Sequence, residues 1–195
     1  MFDPPQNATS ASTTSKQPEE QKRYPKKRLI VCCDGTWNAG DIHNKPLSNV
    51  ARIARCISNE DNWKNPNKEQ NPKHDKNYIS QIVYYQRGVG VGTSWLSNAV
   101  DGLTGRGIGK DIRQAYSFIC LNKSRSDDEV VLIGFSRGAF TVRCVAQFMH
   151  DVGLLTKSGL RHLPELYKLW KRVDKKAPNS LEATELERLK TKLVK

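Results

Sequence analysis

No stretch of this 195-residue chain is long and apolar enough to cross a membrane as a helix, and its first residues contain no hydrophobic leader core. The first 27 residues are also poor in arginine and are interrupted by Asp3, Glu19 and Glu20, which argues against a transit peptide. A cytoplasmic protein is the expectation. The cysteines Cys32, Cys33, Cys56, Cys120 and Cys144 include no C-x-x-C pair and are odd in number. That excludes a closed disulfide framework and leaves buried, reduced core residues. No His/Cys/Asp/Glu group has metal-ligand spacing, so neither a metal nor a cofactor is expected. Histidine is scarce, with His43, His74, His150 and His162 the complete set. No internal repeat is present.

Acidic residues are the minority: 32 Lys and Arg against 20 Asp and Glu give a formal net charge of +12. The basic residues gather in 22–28, in the Asn/Lys-rich stretch 59–77 and in 168–176. No helix-turn-helix, zinc-finger or RNP motif accompanies them, so specific nucleic-acid binding is not expected. A solvated surface is the default reading, and weak attraction to anionic lipid headgroups is the second. Residues 105–110 (GRGIGK) superficially resemble a phosphate loop, but Thr104 stands at the first glycine position and Asp111 follows the lysine. A flexible lead-in to a helix is the simpler expectation.

Residues 1–27 are rich in Pro, Ser, Thr, Gln and Lys, and read as a disordered tail. Residues 28–170 read as one α/β domain. Apolar runs at 29–33 (LIVCC), 82–85 (IVYY) and 130–133 (VVLI) predict strands. Helical spacing predicts helices over 48–58 with Ser48 or Asn49 as N-cap, over 108–121, and over 137–149. Strands separated by helix-length crossovers imply a parallel sheet with helices on both faces. Residues 59–77 read as an exposed loop. Residues 171–195 read as a charged, helical C-terminal segment, with Leu186, Leu189 and Leu193 on one face of a loosely packed or frayed helix.

The chemistry-bearing feature is VVLIGFSRGAF, residues 130–140. A buried strand, a Gly-x-Ser-x-Gly turn and a helix start follow one another, as a nucleophile elbow requires. Gly134 and Gly138 let the helix turn back against the strand, while Ser136 takes a strained conformation that lifts its hydroxyl above the sheet. The Arg137 backbone N–H would then face a developing oxyanion. The plain alternative is a serine that merely caps the helix.

Several further segments match one family in order. They are Asp34-Gly35-Thr36-Trp37-Asn38 after the first strand, Tyr84-Tyr85 with the stretch 88–93, Ala115 to Ile119, Asp128-Glu129, GFSRGAF through Arg143, and Gly153-Leu154-Leu155. Together they resemble the DUF2235 family, the catalytic domain of type VI secretion phospholipase effectors and related eukaryotic proteins. The resemblance implies an α/β-hydrolase fold and a lipase- or phospholipase-like serine esterase acting on lipid or other carboxylic esters. It implies that the Asp34 loop faces the nucleophile, with Gly35 or Thr36 N–H completing the oxyanion hole. The Asp34 side chain itself reads as shaping that turn.

The family's general-base histidine lies far downstream, in a motif resembling Trp-His-x-Asp-Val-Gly-Gly that has no match here. His150 and His162, which follow Ser136, read as helix-end and surface residues. The chain therefore reads as the N-terminal part of a hydrolase domain, its sheet left with an exposed edge. The alternative is a catalytically silent hydrolase-fold module that binds or scaffolds.

Overall fold

The computed structural model describes residues 26–35, 46–61, 79–88, 106–173 and 180–194. The expected disordered tail falls outside these up to residue 25. Its proposed end at 27 is corrected: Lys26 pairs with Glu129 at 2.5 Å and Lys27 is already in a strand.

Among the described residues four strands form one sheet in the order β2-β3-β1-β4. They are β1 (Lys27–Cys33), β2 (Glu60–Asp61), β3 (Ile79–Gln86) and β4 (Glu129–Gly134). β1 is central and pairs in parallel with β3 and with β4, Ile30 lying opposite Val83 and Val131. The two-residue β2 runs antiparallel to β3, inside the segment expected to be loop. Its residues carry no apolar pattern, and ion pairing contributes to its placement. Arg28 reaches Asp61 at 2.7 Å and Glu129 at 2.6 Å, and so links β2, β1 and β4.

Alternation along β1 sorts its side chains between two cores. Ile30 and Cys32 join Val50 of α1 (Asn49–Cys56) on one face. Leu29, Val31 and Cys33 face the larger core on the other. That core is built by α2 (Arg106–Asn122), α3 (Arg137–Val152), α4 (Leu163–Arg172) and α5 (Leu181–Leu193). Helices on both faces of a mainly parallel sheet make this an α/β fold. Ser48 caps α1 as expected, its side chain accepting the Ala51 N–H at 3.0 Å.

Three expectations need correction. Residues 106–110 are not a flexible lead-in but the first turn of α2. Gly109 suits that position because an added Cβ would lie 3.2 Å from the Tyr167 ring. β4 is not buried on both faces: it is the end strand among the described residues, and Val131 is exposed there. The C-terminal helix is not loose. Leu186 and Leu193 are buried in the larger core, and Leu155 forms a β-bridge with Val194.

None of the cysteines forms a disulfide, but Cys56 is exposed and Cys144 half-buried, against the expectation that all are core residues. Phe148 centres an aromatic cluster with Tyr116 at 4.6 Å, Trp170 at 5.0 Å and Tyr167 at 5.6 Å between ring centroids. Tyr116 also donates its hydroxyl to Gly153 O at 2.7 Å and accepts the Leu155 N–H, which ties α2 to the turn after α3. The fold thus fixes α3 at its C-terminal end by packing and polar contacts, leaving its N-terminus at the carboxyl end of β4.

Candidate active site

At that junction the chain turns from strand to helix within two residues. The Phe135 N–H still donates to Cys33 O of β1 at 3.2 Å, and Arg137 is already helical. Ser136 between them has φ 53° and ψ −121°, the only positive φ of a non-glycine residue among the described residues. Such a conformation costs a non-glycine residue about 1–3 kcal/mol and persists only where the surroundings impose it.

The surroundings here are two glycines. A Cβ on Gly134 would meet Gly138 O at 2.5 Å, and one on Gly138 would meet Cys33 O at 2.0 Å. Both contacts are with backbone, so α3 presses directly on β1 and on its own incoming strand. The capping explanation for Ser136 does not fit. Its side chain makes no capping hydrogen bond, and the residue is exposed. The Gly138 and Ala139 N–H groups are instead donated to Phe135 O and Ser136 O, at 2.9 and 3.0 Å.

The end of β1 faces this turn. Asp34 is buried, and its N–H donates to Gln86 O at the end of β3, at 2.9 Å. Its carboxylate accepts three donors: the Gly35 N–H at 2.8 Å, the Tyr85 hydroxyl at 2.8 Å, and the Ser48 hydroxyl in a short contact. The turn-shaping role expected for Asp34 is the geometry observed. It carries a correction for Gly35, whose N–H is engaged by Asp34 and does not face an oxyanion. Gly35 instead abuts the elbow, an added Cβ falling 3.0 Å from Ser136 Cβ and 3.1 Å from Phe135 Cδ1. Thr36 lies outside the described residues.

A second polar group at this end of the sheet escaped the sequence reading. Gln86 donates to Asp111 Oδ1 at 3.0 Å and to Gln114 Oε1 at 3.3 Å, and accepts from Cys33 Sγ at 3.5 Å. Burial pushes the Asp111 carboxyl above the usual carboxylate range, offset in part by the charges of Arg137 and Lys110 and by the Gln86 hydrogen bond. The only sequence hint was negative, since Asp111 stood where a phosphate loop needs a hydroxyl. Burial also pushes the Cys32 and Cys33 thiols up to about 11 and about 12, so neither is a thiolate nucleophile at neutral pH.

Neither described histidine has a hydrogen bond or ion pair to Ser136 among the described residues. His150 is exposed in the last turn of α3, about 20 Å along the helix from Ser136 by the helical rise. His162 precedes α4, accepts a hydrogen bond from Arg161 at 3.1 Å and lies 3.8 Å from Glu165. His43 and His74 lie outside the described residues. Among the described residues no group of three His, Cys, Asp or Glu side chains is placed to hold a metal ion, and no helix is long and apolar enough to cross a membrane.

Residues 27–193 match the family model described as the catalytic domain of the type VI secretion system phospholipase effector Tle1-like proteins. The chain belongs to this family. The family is one of lipase-like hydrolases. The match begins at β1 and takes in α5, in keeping with the burial of Leu186 and Leu193 in the common core. The uncharacterized protein YEL023C of Saccharomyces cerevisiae is 29% identical over 175 residues, which cover 81% of this chain and 22% of that protein. This chain therefore spans under a quarter of that relative's length. No solved structure matches the chain.

Proposed function

We propose that this chain carries the nucleophile of a serine hydrolase acting on carboxylic esters of lipids, with Ser136 as the attacking residue. The observation that carries the reading is the backbone of Ser136: a strained, exposed serine at the carboxyl end of a strand whose side chain does no capping work. Strain at a residue with no structural employment points to function. Ser136 Oγ adds to the ester carbonyl carbon as a general base takes its proton. The carbonyl oxygen becomes an oxyanion, the alcohol leaves with a returned proton, and water then cleaves the acyl-serine.

The N-terminal turn of α3 supports the oxyanion through the Arg137 N–H and the helix dipole. Asp34 engages the Gly35 N–H, which leaves the Arg137 N–H as the donor offered by the described residues. Phe135 and Phe140, 57% and 54% exposed on either side of Ser136, offer apolar surface to an acyl chain. The +12 net charge suits weak contact with an anionic lipid surface.

The placement of His150 and His162 favours a base from outside the described residues. It also sustains a second reading, a hydrolase-fold module that binds without turnover. Reaction with a fluorophosphonate probe separates the two readings. The first requires covalent labelling that Ser136→Ala abolishes. A wild-type chain that labels no faster than Ser136→Ala leaves the second.

A further inference from the structure

Asp34, Ser48 and Tyr85 come from three separate elements, the end of β1, the cap of α1 and β3, and converge through one carboxylate. Each has another duty that fixes it. Ser48 accepts the Ala51 N–H at the start of α1, Tyr85 is paired with Cys32 in the sheet, and the Asp34 N–H is held by Gln86 O. The carboxylate's remaining bond is to the Gly35 N–H. Gly35 in turn is the residue whose missing side chain makes room for Ser136 Cβ.

We propose that Asp34, with Ser48 and Tyr85 as its donors, is a positioning residue for Ser136. The three hydrogen bonds hold Gly35 against the serine's Cβ and so restrict the rotation that would swing its hydroxyl away from substrate. The inference rests on the reading of Ser136 as the nucleophile, and it assigns Asp34 no contact with substrate. A buried carboxylate with three donors holds a turn far more rigidly than one hydrogen-bonded to water. Small misplacement of a nucleophile costs large factors in rate.

Tyr85→Phe removes one donor and no ring, leaving Gly35 and Ser136 unaltered in sequence. It lowers the second-order rate of fluorophosphonate labelling of the full chain about tenfold, the order expected when a charge-assisted hydrogen bond is lost from a positioning device. Asp34→Asn, which turns an amide N–H toward the hydroxyl donors, gives a larger loss. The thermal midpoint of Tyr85→Phe is measured beside the rate, so that simple unfolding is excluded. The Gly35 amide resonance in glycine-labelled protein supplies a readout independent of chemistry: in the wild type it exchanges slowly with solvent, and in both variants it shifts and exchanges faster.

A labelling rate and Gly35 exchange in Tyr85→Phe equal to wild type would overturn the proposal. So would a Gly35 change with no change in rate, since the clamp would then hold the loop without positioning Ser136. Absence of labelling in the wild type itself overturns the nucleophile reading, and the positioning role with it. The Gly35 exchange then shows whether the clamp exists as structure alone.

Discussion

Replacing Gly138 by alanine tests the statement that α3 rests directly on the backbone of β1. The new Cβ would lie 2.0 Å from Cys33 O, 2.5 Å from Cys33 C and 2.8 Å from Asp34 O. Close carbon–oxygen contacts in proteins sit near 3.3 Å, so the overlap is about 1.3 Å and relief demands a comparable backbone shift. Neither partner yields cheaply: β1 is paired on both sides, and α3 is pinned by Phe148 and its ring neighbours. Overpacking costs about 1–3 kcal/mol where side chains can give way, and an obstacle made of central-strand backbone places Gly138→Ala at about 3–5 kcal/mol. For a chain of this size that is a fall of about 6–20 °C in the thermal midpoint. Gly107→Ala is the internal control. Nothing lies within 4 Å of its added Cβ, so the helix propensity of alanine is gained, about 0.5–1 kcal/mol of stabilisation. Urea unfolding of the two variants measures both. If Gly138→Ala lies within about 1 kcal/mol of wild type, no worse than the mildest ordinary overpacking, the close approach of α3 to β1 is wrong.

Two further outcomes follow from the same structure. Ser136→Gly releases the strain of a positive φ at the cost of a more flexible unfolded chain, and raises stability by about 1 kcal/mol. A destabilised Ser136→Gly variant in urea unfolding would show that the serine is not strained. Burial raises the Asp128 carboxyl, but the N–H groups of Arg125, Ser124 and Lys27 outweigh it and hold it below the ordinary carboxylate range. A depressed carboxyl stabilises the fold above its unfolded pKa, about 3.9, and that contribution fades as pH falls through the native value. Asp128→Asn therefore costs about 2 kcal/mol at pH 7 and much less at pH 3, and an equal loss at both pH values would refute the assignment.

The elements whose buried face repeats at the period of their own geometry were legible in the sequence. β1, α1 with its Ser48 cap, β3 and α3 fall within a few residues of expectation, because apolar periodicity and capping are local. What was not legible depends on distant partners. β2 is two acidic residues, and Asp61 is met by Arg28, 33 positions away. β4 has the composition of a doubly buried strand, yet its exposure depends on which strands stand beside it. Gly107 and Gly109 suggested flexibility, and the close approach of the Tyr167 ring to Gly109 is a contact between residues 58 positions apart. At the candidate site, the glycine–serine spacing announced the unusual backbone at Ser136. The engagement of Gly35 by Asp34 and the Gln86–Asp111 pair could not be read, since they join residues by side-chain reach rather than by pattern.

The central position of β1 has a consequence for how the chain is made. The strand buried most completely is synthesised early, yet its partners lie far along the chain: Val83 is 53 residues after Ile30, and Val131 is 101 residues after it. At about 5–20 residues per second, one edge of this apolar strand waits roughly 5–20 s on the ribosome before β4 exists to cover it. Nascent-chain folding must therefore guard the sequence LIVCC for that interval. The residues that cover this edge of the strand, 130–134, are those that lead into Ser136, so the pairing of β4 with β1 and the first appearance of the elbow are one event.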